Sequence, residues 1–82
     1  MDVRSIPEGS TLDLYISPSC PYCHMAMEYY DRIRTPYTAH DAYGNADERA
    51  KMFAFTGGDP TVPAIVVDGS HVQSGWGDPP RG

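Results

Sequence analysis

Two cysteines, Cys20 and Cys23, are the side chains of this sequence best suited to covalent chemistry. Only two residues separate them, so their sulfurs can form and break a disulfide across a short loop. A run typical of a β-strand precedes the pair, and a run typical of an α-helix begins at it. A cysteine at a helix start lies beside unpaired backbone N–H groups and the positive end of the helix dipole, which stabilise a thiolate. The pattern predicts a redox-active dithiol.

The two cysteines are expected to have different roles. Pro21 fits the first helical position because it lacks an N–H and its φ already lies near helical values, so the helix should start at Cys20–Pro21. Thiol pKa values at such positions run from about 3.5 to about 7.5, against about 8.5 for free cysteine, and we expect a lowered pKa for Cys20. Cys23 lies nearly one turn further in, where it should be more buried and less ionised. Cys20 is therefore the predicted nucleophile and Cys23 the predicted resolving thiol.

The elements that must position this pair follow the order βαβαββ. A right-handed βαβ unit makes the first two strands parallel, and an Asp68-Gly69 turn makes the last two an antiparallel hairpin. We therefore expect an α/β fold with a mixed four-stranded sheet and helices on its faces. Asn45 and Glu48 are the predicted N-cap of the second helix and its reciprocal partner. The predicted elements are 11–17, 21–34, 37–41, 46–55, 64–67 and 70–73.

The 82 residues are expected to form a single domain. Residues 1–10 show no periodicity, and we predict a loose lead-in. Residues 75–82 contain three glycines and two prolines, so they cannot form a regular helix. No third helix is therefore expected, and a sheet face is left for the tail at Trp76, a partner or a second copy of the chain to cover. We expect core or half-buried packing for the pair Met25 and Met27 and for the tyrosines at 29, 30, 37 and 43.

The composition excludes several classes of function. A net charge of -5 and a pI near 4.8 argue against nucleic acid and anionic membranes as partners, because both need clustered basic residues. The apolar runs are too short to cross a bilayer. Two cysteines in one CxxC cannot form the disulfide framework of a small secreted domain, and the first residues lack the apolar core of a signal peptide. We predict a cytoplasmic location.

The sequence resembles a dithiol glutaredoxin from Leu12 to Trp76. The residues that carry the resemblance are Cys20–Cys23 (CPYC) after a strand and Thr61-Val62-Pro63 (TVP) before a strand and an Asp-Gly hairpin. It implies a thioredoxin-like fold, the nucleophile and resolving roles already given, a cis proline at Pro63, and no bound cofactor, with glutathione as co-substrate. Val62 would offer its N–H and C=O to an extended ligand. The substrate- or glutathione-binding residues so implied are Tyr22, Thr61, Val62, Pro63, Ser74, Gly75 and Trp76.

The sequence also departs from the glutaredoxin pattern. Ser17 stands where a lysine usually meets a carboxylate of glutathione, and Asp59-Pro60 stands where a basic or amide pair is usual. Ser74–Trp76 stands where Gly-Gly is usual, and Asp78 stands at the position of the family's acidic residue. An anionic tripeptide should be steered poorly to a chain of net charge -5 that lacks these cations. Glutathione recognition is therefore expected to be weak.

A second resemblance concerns the segment after the last strand. Ser74-Gly75 followed by an aromatic residue is similar to the SGF segment of NrdH-redoxins, although those usually have glutamine where this chain has Tyr22. NrdH-redoxins are reduced by thioredoxin reductase and serve ribonucleotide reductase. The implied partners are disulfide-bearing proteins, with glutathione or thioredoxin reductase as the electron source. An NrdH-like electron donor is the alternative function.

Other interpretations of the same residues are open at this point. The cysteines could be buried structural thiols. A CxxC with histidine could bind zinc or copper as a metallochaperone, but a closed zinc site needs about four ligands. His24 is adjacent to Cys23 and points elsewhere on a helix, whereas His40 and His71 lie on predicted strands, so we predict no metal site. His24 could instead tune Cys20 or be solvated, and Trp76 could dock a reductase or cap the sheet.

Overall fold

The computed structural model describes all 82 residues and has the predicted element order βαβαββ. None of its helices has the length and apolarity needed to cross a membrane. The strands and helices differ from the predicted ranges only at their ends. They are β1 (Leu12–Ile16), α1 (Pro21–Arg32), β2 (Thr38–Asp41), α2 (Ala46–Thr56), β3 (Ala64–Val67) and β4 (Ser70–Ser74).

The four strands form one mixed sheet in the order β2-β1-β3-β4. β1 is parallel to β2, with Leu14 opposite Ala39, and antiparallel to β3, with Leu14 opposite Ile65. β3 and β4 form the antiparallel hairpin, whose register shifts between Ile65 and Val66. The predicted mixed sheet is confirmed. Because β1 is a central strand, the cysteine pair that follows it lies at an end of the buried part of the sheet.

The two faces of the sheet carry different helices. Side chains alternate along a strand, so Leu14 and Tyr15 point to opposite faces. Tyr15 stacks on His40 with ring centroids 4.6 Å apart and lies 5.9 Å from Phe55 of α2, so its face carries α2. The Leu14 face is left for α1, whose Tyr30 is fully buried in the same apolar core.

The two ends of the chain pack against α1, where no third helix is present. The Tyr30 hydroxyl donates to the Val3 carbonyl at 2.6 Å, and the Tyr29 hydroxyl donates to the Arg4 carbonyl at 2.8 Å. Trp76 lies 5.5 Å from both tyrosine rings, and the Arg4 guanidinium lies 5.3 Å from the Trp76 ring. The prediction of a loose lead-in is therefore wrong, because two tyrosine hydroxyls and a buried Val3 side chain hold these residues to the helix.

Burial contradicts the packing predicted for two side chains. Met25 is 51% exposed and Tyr43 is 44% exposed, whereas both were expected in or near the core. Met25 lies on the outer side of α1. The Tyr43 hydroxyl donates to the Pro60 carbonyl at 2.7 Å, so this ring braces a surface loop.

The N-terminus of α2 has one of the two predicted capping hydrogen bonds. Asn45 Oδ1 accepts a hydrogen bond from the Glu48 N–H at 3.1 Å. The expected return bond from the Glu48 side chain is absent, because Glu48 Oε2 lies 2.6 Å from Nδ1 of His40 on β2. The contact of Glu48 with His40 on β2 has replaced its predicted contact with the Asn45 N–H. His40 Nε2 lies 2.8 Å from Asp13 Oδ1, so this histidine sits between two carboxylates.

Candidate active site

Cys20 is the N-cap residue of α1. Its backbone is extended, with φ -85° and ψ 115°, and Pro21 is the first helical residue, as predicted. The Cys20 N–H donates to the Ser17 carbonyl at 3.1 Å, which closes the turn between β1 and the helix. The Cys20 Sγ accepts a hydrogen bond from the Cys23 N–H at 3.2 Å. The sulfur therefore occupies the place of an N-cap oxygen, where a negative charge is stabilised by the N–H and by the helix dipole.

Cys23 lies in a different environment from Cys20. Its side chain is fully buried, whereas Cys20 is 8% exposed, and both thiols are free. Burial raises the pKa of Cys23 to about 12, and the hydrogen bond with the Cys20 side chain adds to the rise. A buried thiol is costly to ionise because the thiolate loses its hydration. Cys23 is therefore the thiol of this pair that is held in its protonated form.

The loop before β3 faces the Cys20 sulfur. The Val62–Pro63 peptide bond is cis, and the Cys20 Sγ–H donates to the Val62 carbonyl at 3.7 Å. The Gly75 N–H donates to the Pro63 carbonyl at 2.8 Å, which ties the end of β4 to the loop. The Val62 N–H has no hydrogen-bond partner in the protein. The structure therefore brings Cys20, Val62, Pro63 and Gly75 together, and Val62 has a free main-chain donor.

An anion lies just before this loop. Asp59 Oδ1 accepts a hydrogen bond from the Thr61 N–H at 2.9 Å, and hydrogen bonding to Thr61 lowers the pKa of Asp59. The carboxylate is exposed. The Asp59 carbonyl accepts from the Thr56 hydroxyl at 2.9 Å, so the segment is also fixed to the end of α2. Ser17 is nearly buried, with its Oγ 3.3 Å from Ser19 Oγ.

The tail after β4 folds back onto the same loop. The Trp76 N–H donates to the Arg81 carbonyl at 2.7 Å, and the Arg81 N–H donates to the Trp76 carbonyl at 2.9 Å. This bridge places Gly82 so close to the loop that a Cβ at Gly82 would collide with the Val62 carbonyl oxygen and the Thr61 methyl group. No local sequence signal predicts that Arg81 and Gly82 lie here, because only a long-range contact brings them to the loop.

Three predicted site residues have other partners. Tyr22, between the cysteines, is half-buried and packs against the core. The Ser74 hydroxyl lies 2.9 Å from His71 Nε2 on the same strand. Trp76 is 5% exposed and packs on the tyrosines of α1.

The histidines lie apart from the cysteine sulfurs. His24 Nε2 is 2.6 Å from the Pro18 carbonyl, so this exposed ring is fixed to the turn before Cys20 through the backbone. His40 contacts Asp13 and Glu48 beneath α2. No group of three or more histidine, cysteine or acidic side chains is arranged to hold a metal ion.

Comparison with known proteins identifies a sequence family. Residues 12–72 match the family profile described as Glutaredoxin. Glutaredoxin 1 of Rickettsia prowazekii is 33% identical over 63 residues, which cover 76% of this chain and 66% of that protein. Glutaredoxin 3 of Escherichia coli is 30% identical over 63 residues, which cover 77% of this chain and 75% of that protein. The chain thus spans about two thirds of the length of the Rickettsia relative.

Solved structures show the same fold. A variant of the thioredoxin-like protein BC3987 superposes with a TM-score of 0.68 at 23% identity, over 78% of this chain and 81% of that one. Wheat glutaredoxin superposes with a TM-score of 0.64 at 20% identity, over 88% of this chain and 66% of that one. The predicted thioredoxin-like fold is confirmed.

Proposed function

This chain belongs to the glutaredoxin family, and we propose that it is a thiol–disulfide oxidoreductase that reduces protein disulfides through Cys20. The observation that carries the proposal is the difference between its two sulfurs. Cys20 Sγ accepts the Cys23 N–H at the helix start, whereas the pKa of the buried Cys23 thiol is raised to about 12. The Cys20 sulfur is therefore suited to attack, and the Cys23 sulfur to stay protonated until the second step.

In the first step the Cys20 thiolate attacks one sulfur of a substrate disulfide. The substrate S–S bond breaks, its second sulfur leaves as a thiolate, and a mixed disulfide with Cys20 forms. The Val62 carbonyl lies beside the Cys20 sulfur and the Val62 N–H is free, and both would pair with the main chain of an extended substrate. Val62 would thereby hold the substrate disulfide against the attacking atom.

In the second step Cys23 loses its proton and attacks the Cys20 sulfur. The mixed disulfide breaks, and the substrate sulfur that was bonded to Cys20 leaves as the substrate's second thiol. Two electrons have then passed from the dithiol to the substrate. Two of the causes that raise the pKa of Cys23, its hydrogen bond with Cys20 and the Cys20 charge, depend on a free Cys20 sulfur. Formation of the mixed disulfide removes both. Cys23 would therefore ionise more easily at the stage when it must attack.

The Cys20–Cys23 disulfide must then be reduced by an external thiol. Glutathione is an anion, and the nearest charged group before the cis-proline loop is the ionised Asp59, with Ser17 in place of a cation. Like charges weaken an encounter complex. We therefore propose thioredoxin reductase as the main electron source and glutathione as a slow co-substrate, in the cytoplasm.

A second candidate function is that of an NrdH-like donor to ribonucleotide reductase. It is favoured by the Ser74–Trp76 segment and by Asp59, which both depart from glutathione-binding glutaredoxins in the same direction. This candidate uses the same dithiol chemistry and the same electron source, and it differs in its substrate protein.

Insulin reduction with a dithiol as electron source tests the proposed activity. The chain should catalyse it, Cys20→Ser should abolish catalysis, and Ser19→Ala, a neighbouring exposed substitution, should leave most of it. Catalysis that survives in Cys20→Ser would contradict the proposal. Reduction of the oxidised chain by glutathione, compared with NADPH plus thioredoxin reductase, then separates the two electron sources.

A further inference from the structure

The segment Gly77–Gly82 folds back so that Gly82 lies against the loop that carries Val62. Two hydrogen bonds between Trp76 and Arg81 turn the chain back on itself, at 2.7 and 2.9 Å. Gly82 then lies against the Val62 carbonyl on the same loop whose N–H is unpaired. Because any side chain at Gly82 would collide with that carbonyl, the fit requires a glycine at this point.

We propose that the tail Gly77–Gly82 is an intramolecular competitor for the substrate site, and that an extended substrate displaces it from Val62 before reacting with Cys20. The inference rests on the proposed function, since it concerns access to the same site. A backbone segment that contacts Val62 occupies space in which the main chain of a peptide substrate would lie. The tail therefore lowers the rate for substrates that use Val62, and it acts less on disulfides too small to reach it.

The tail is built so that it can leave. Residues 78–82 are exposed, and the Trp76–Arg81 bridge joins them to the rest of the domain by two backbone hydrogen bonds. Trp76, in contrast, is buried between the tyrosines of α1 and the Arg4 guanidinium. The bound and displaced forms should therefore differ after residue 76, with the core unchanged.

Two variants release the tail in different ways. A chain that ends at Asp78 lacks the part that reaches Val62, and Gly82→Ala keeps the whole length but places a methyl group against the Val62 carbonyl. Asp78→Asn is the matched control, because it alters an exposed tail residue that precedes this contact.

The experiment compares two probes on the reduced proteins. One probe is an extended peptide whose cysteine carries a thionitrobenzoate group, and the other is the small disulfide of thionitrobenzoate itself. Attack by Cys20 releases the coloured thiolate from either, so stopped-flow absorbance gives both rates. If the tail occupies Val62 for about 80–90% of the time, only the remaining molecules can react with the peptide. Removal of the tail should then raise the peptide rate by roughly 5- to 10-fold.

We expect that gain with the peptide for both release variants, no gain with Asp78→Asn, and rates within about twofold of each other for the small disulfide. Equal peptide rates in the intact chain and both release variants would overturn the inference and leave the proposed function standing. Slower peptide reaction in them would also overturn it, because the tail would then be part of the substrate-binding surface. If the small-disulfide rate falls in the shortened chain, Gly82→Ala decides the outcome. A chain in which Cys20 reacts with neither probe would contradict the proposed function instead.

Discussion

The N–H of Cys23 donates a hydrogen bond to the Sγ of Cys20 at 3.2 Å, so Cys23 stabilises the Cys20 sulfur through its backbone while its own thiol is buried. The same three-residue spacing thus supplies both the donor for one sulfur and the second sulfur. A substitution at Cys23 that keeps the backbone should leave this hydrogen bond intact.

Alkylation should therefore distinguish the two thiols. With the pKa of Cys23 raised to about 12 by burial, its thiolate is scarce at neutral pH. Iodoacetamide at pH 7–8 should modify Cys20 at least tenfold faster than Cys23, as measured by peptide mass spectrometry over time. Urea-unfolded protein is the control, in which both thiols should react at similar rates. Equal labelling in the folded protein would contradict the assignment of the nucleophile.

Cys23→Ser should separate the two chemical steps. The serine keeps the N–H that stabilises the Cys20 sulfur, so attack on a substrate disulfide should proceed within a fewfold of the normal rate. No thiol remains to resolve the product, so a mixed disulfide on Cys20 should accumulate. Intact-protein mass spectrometry after one turnover measures it. Rapid release of reduced substrate from this variant, with no added thiol, would rule out Cys23 as the resolving residue.

Asp59→Lys should make glutathione a better reductant of the oxidised chain. The substitution replaces the anion beside Thr61 with a cation near the cis-proline loop, which should attract the tripeptide carboxylates. We expect an increase on the order of threefold at low salt that falls as ionic strength rises. Glu8→Lys changes the net charge equally at an exposed residue of the lead-in and is the matched control. The same increase in both variants would show that overall charge, and not Asp59, limits glutathione.

The reduced protein should lose stability in alkali. The pKa of Cys23 is raised from 9.0 to about 12 on folding, so above pH 9 the unfolded chain releases this proton while the folded chain retains it. The unfolded state then binds fewer protons, and the free energy of unfolding falls as pH rises from about 9 to about 12. Urea unfolding should show a decline of at most about 4 kcal/mol from this group. Burial also raises the pKa of Tyr30, so Cys23→Ala should decline less steeply without becoming flat. An unchanged slope in that variant would contradict the prediction.

His40→Ala should destabilise the domain without changing its dithiol chemistry. The imidazole separates the carboxylates of Asp13 and Glu48 at 2.8 and 2.6 Å and stacks on Tyr15. Its loss leaves two half-buried anions without their partner, which should cost about 1–3 kcal/mol in thermal or urea unfolding. Replacing Glu48 by glutamine in the same background should recover part of the loss, because one anion is removed. A variant as stable as the parent chain would show that the cluster adds nothing to folding.

Much of the fold followed from local signals in the sequence. The N-cap at Cys20, the cap at Asn45 and the Asp68-Gly69 turn are each specified by residues within four positions, and all three are present in the structure. The mixed sheet followed from the order of elements and the handedness of their connections. Element ends were less certain because fraying and capping depend on neighbours.

The remainder could not be predicted because it depends on contacts distant in the sequence. The Glu48 carboxylate contacts His40 on another element and not its local cap, and the Val3 carbonyl accepts a hydrogen bond from Tyr30, 27 residues away. The approach of Gly82 to Val62 has no local signature, since glycine and proline indicate only that a segment is irregular. The cysteine pair could be predicted from the sequence, whereas the contact between Gly82 and the Val62 loop could not.

Trp76 also gives the molecule an optical reporter, since it is the only tryptophan of the chain. Its indole lies among two phenol rings and the Arg4 guanidinium, and its backbone carries both hydrogen bonds of the Arg81 bridge. Unfolding, detachment of the lead-in and release of the tail each change the surroundings of this one fluorophore. Emission spectra of the unlabelled chain can therefore follow all three events, and the release variants assign the part due to the tail.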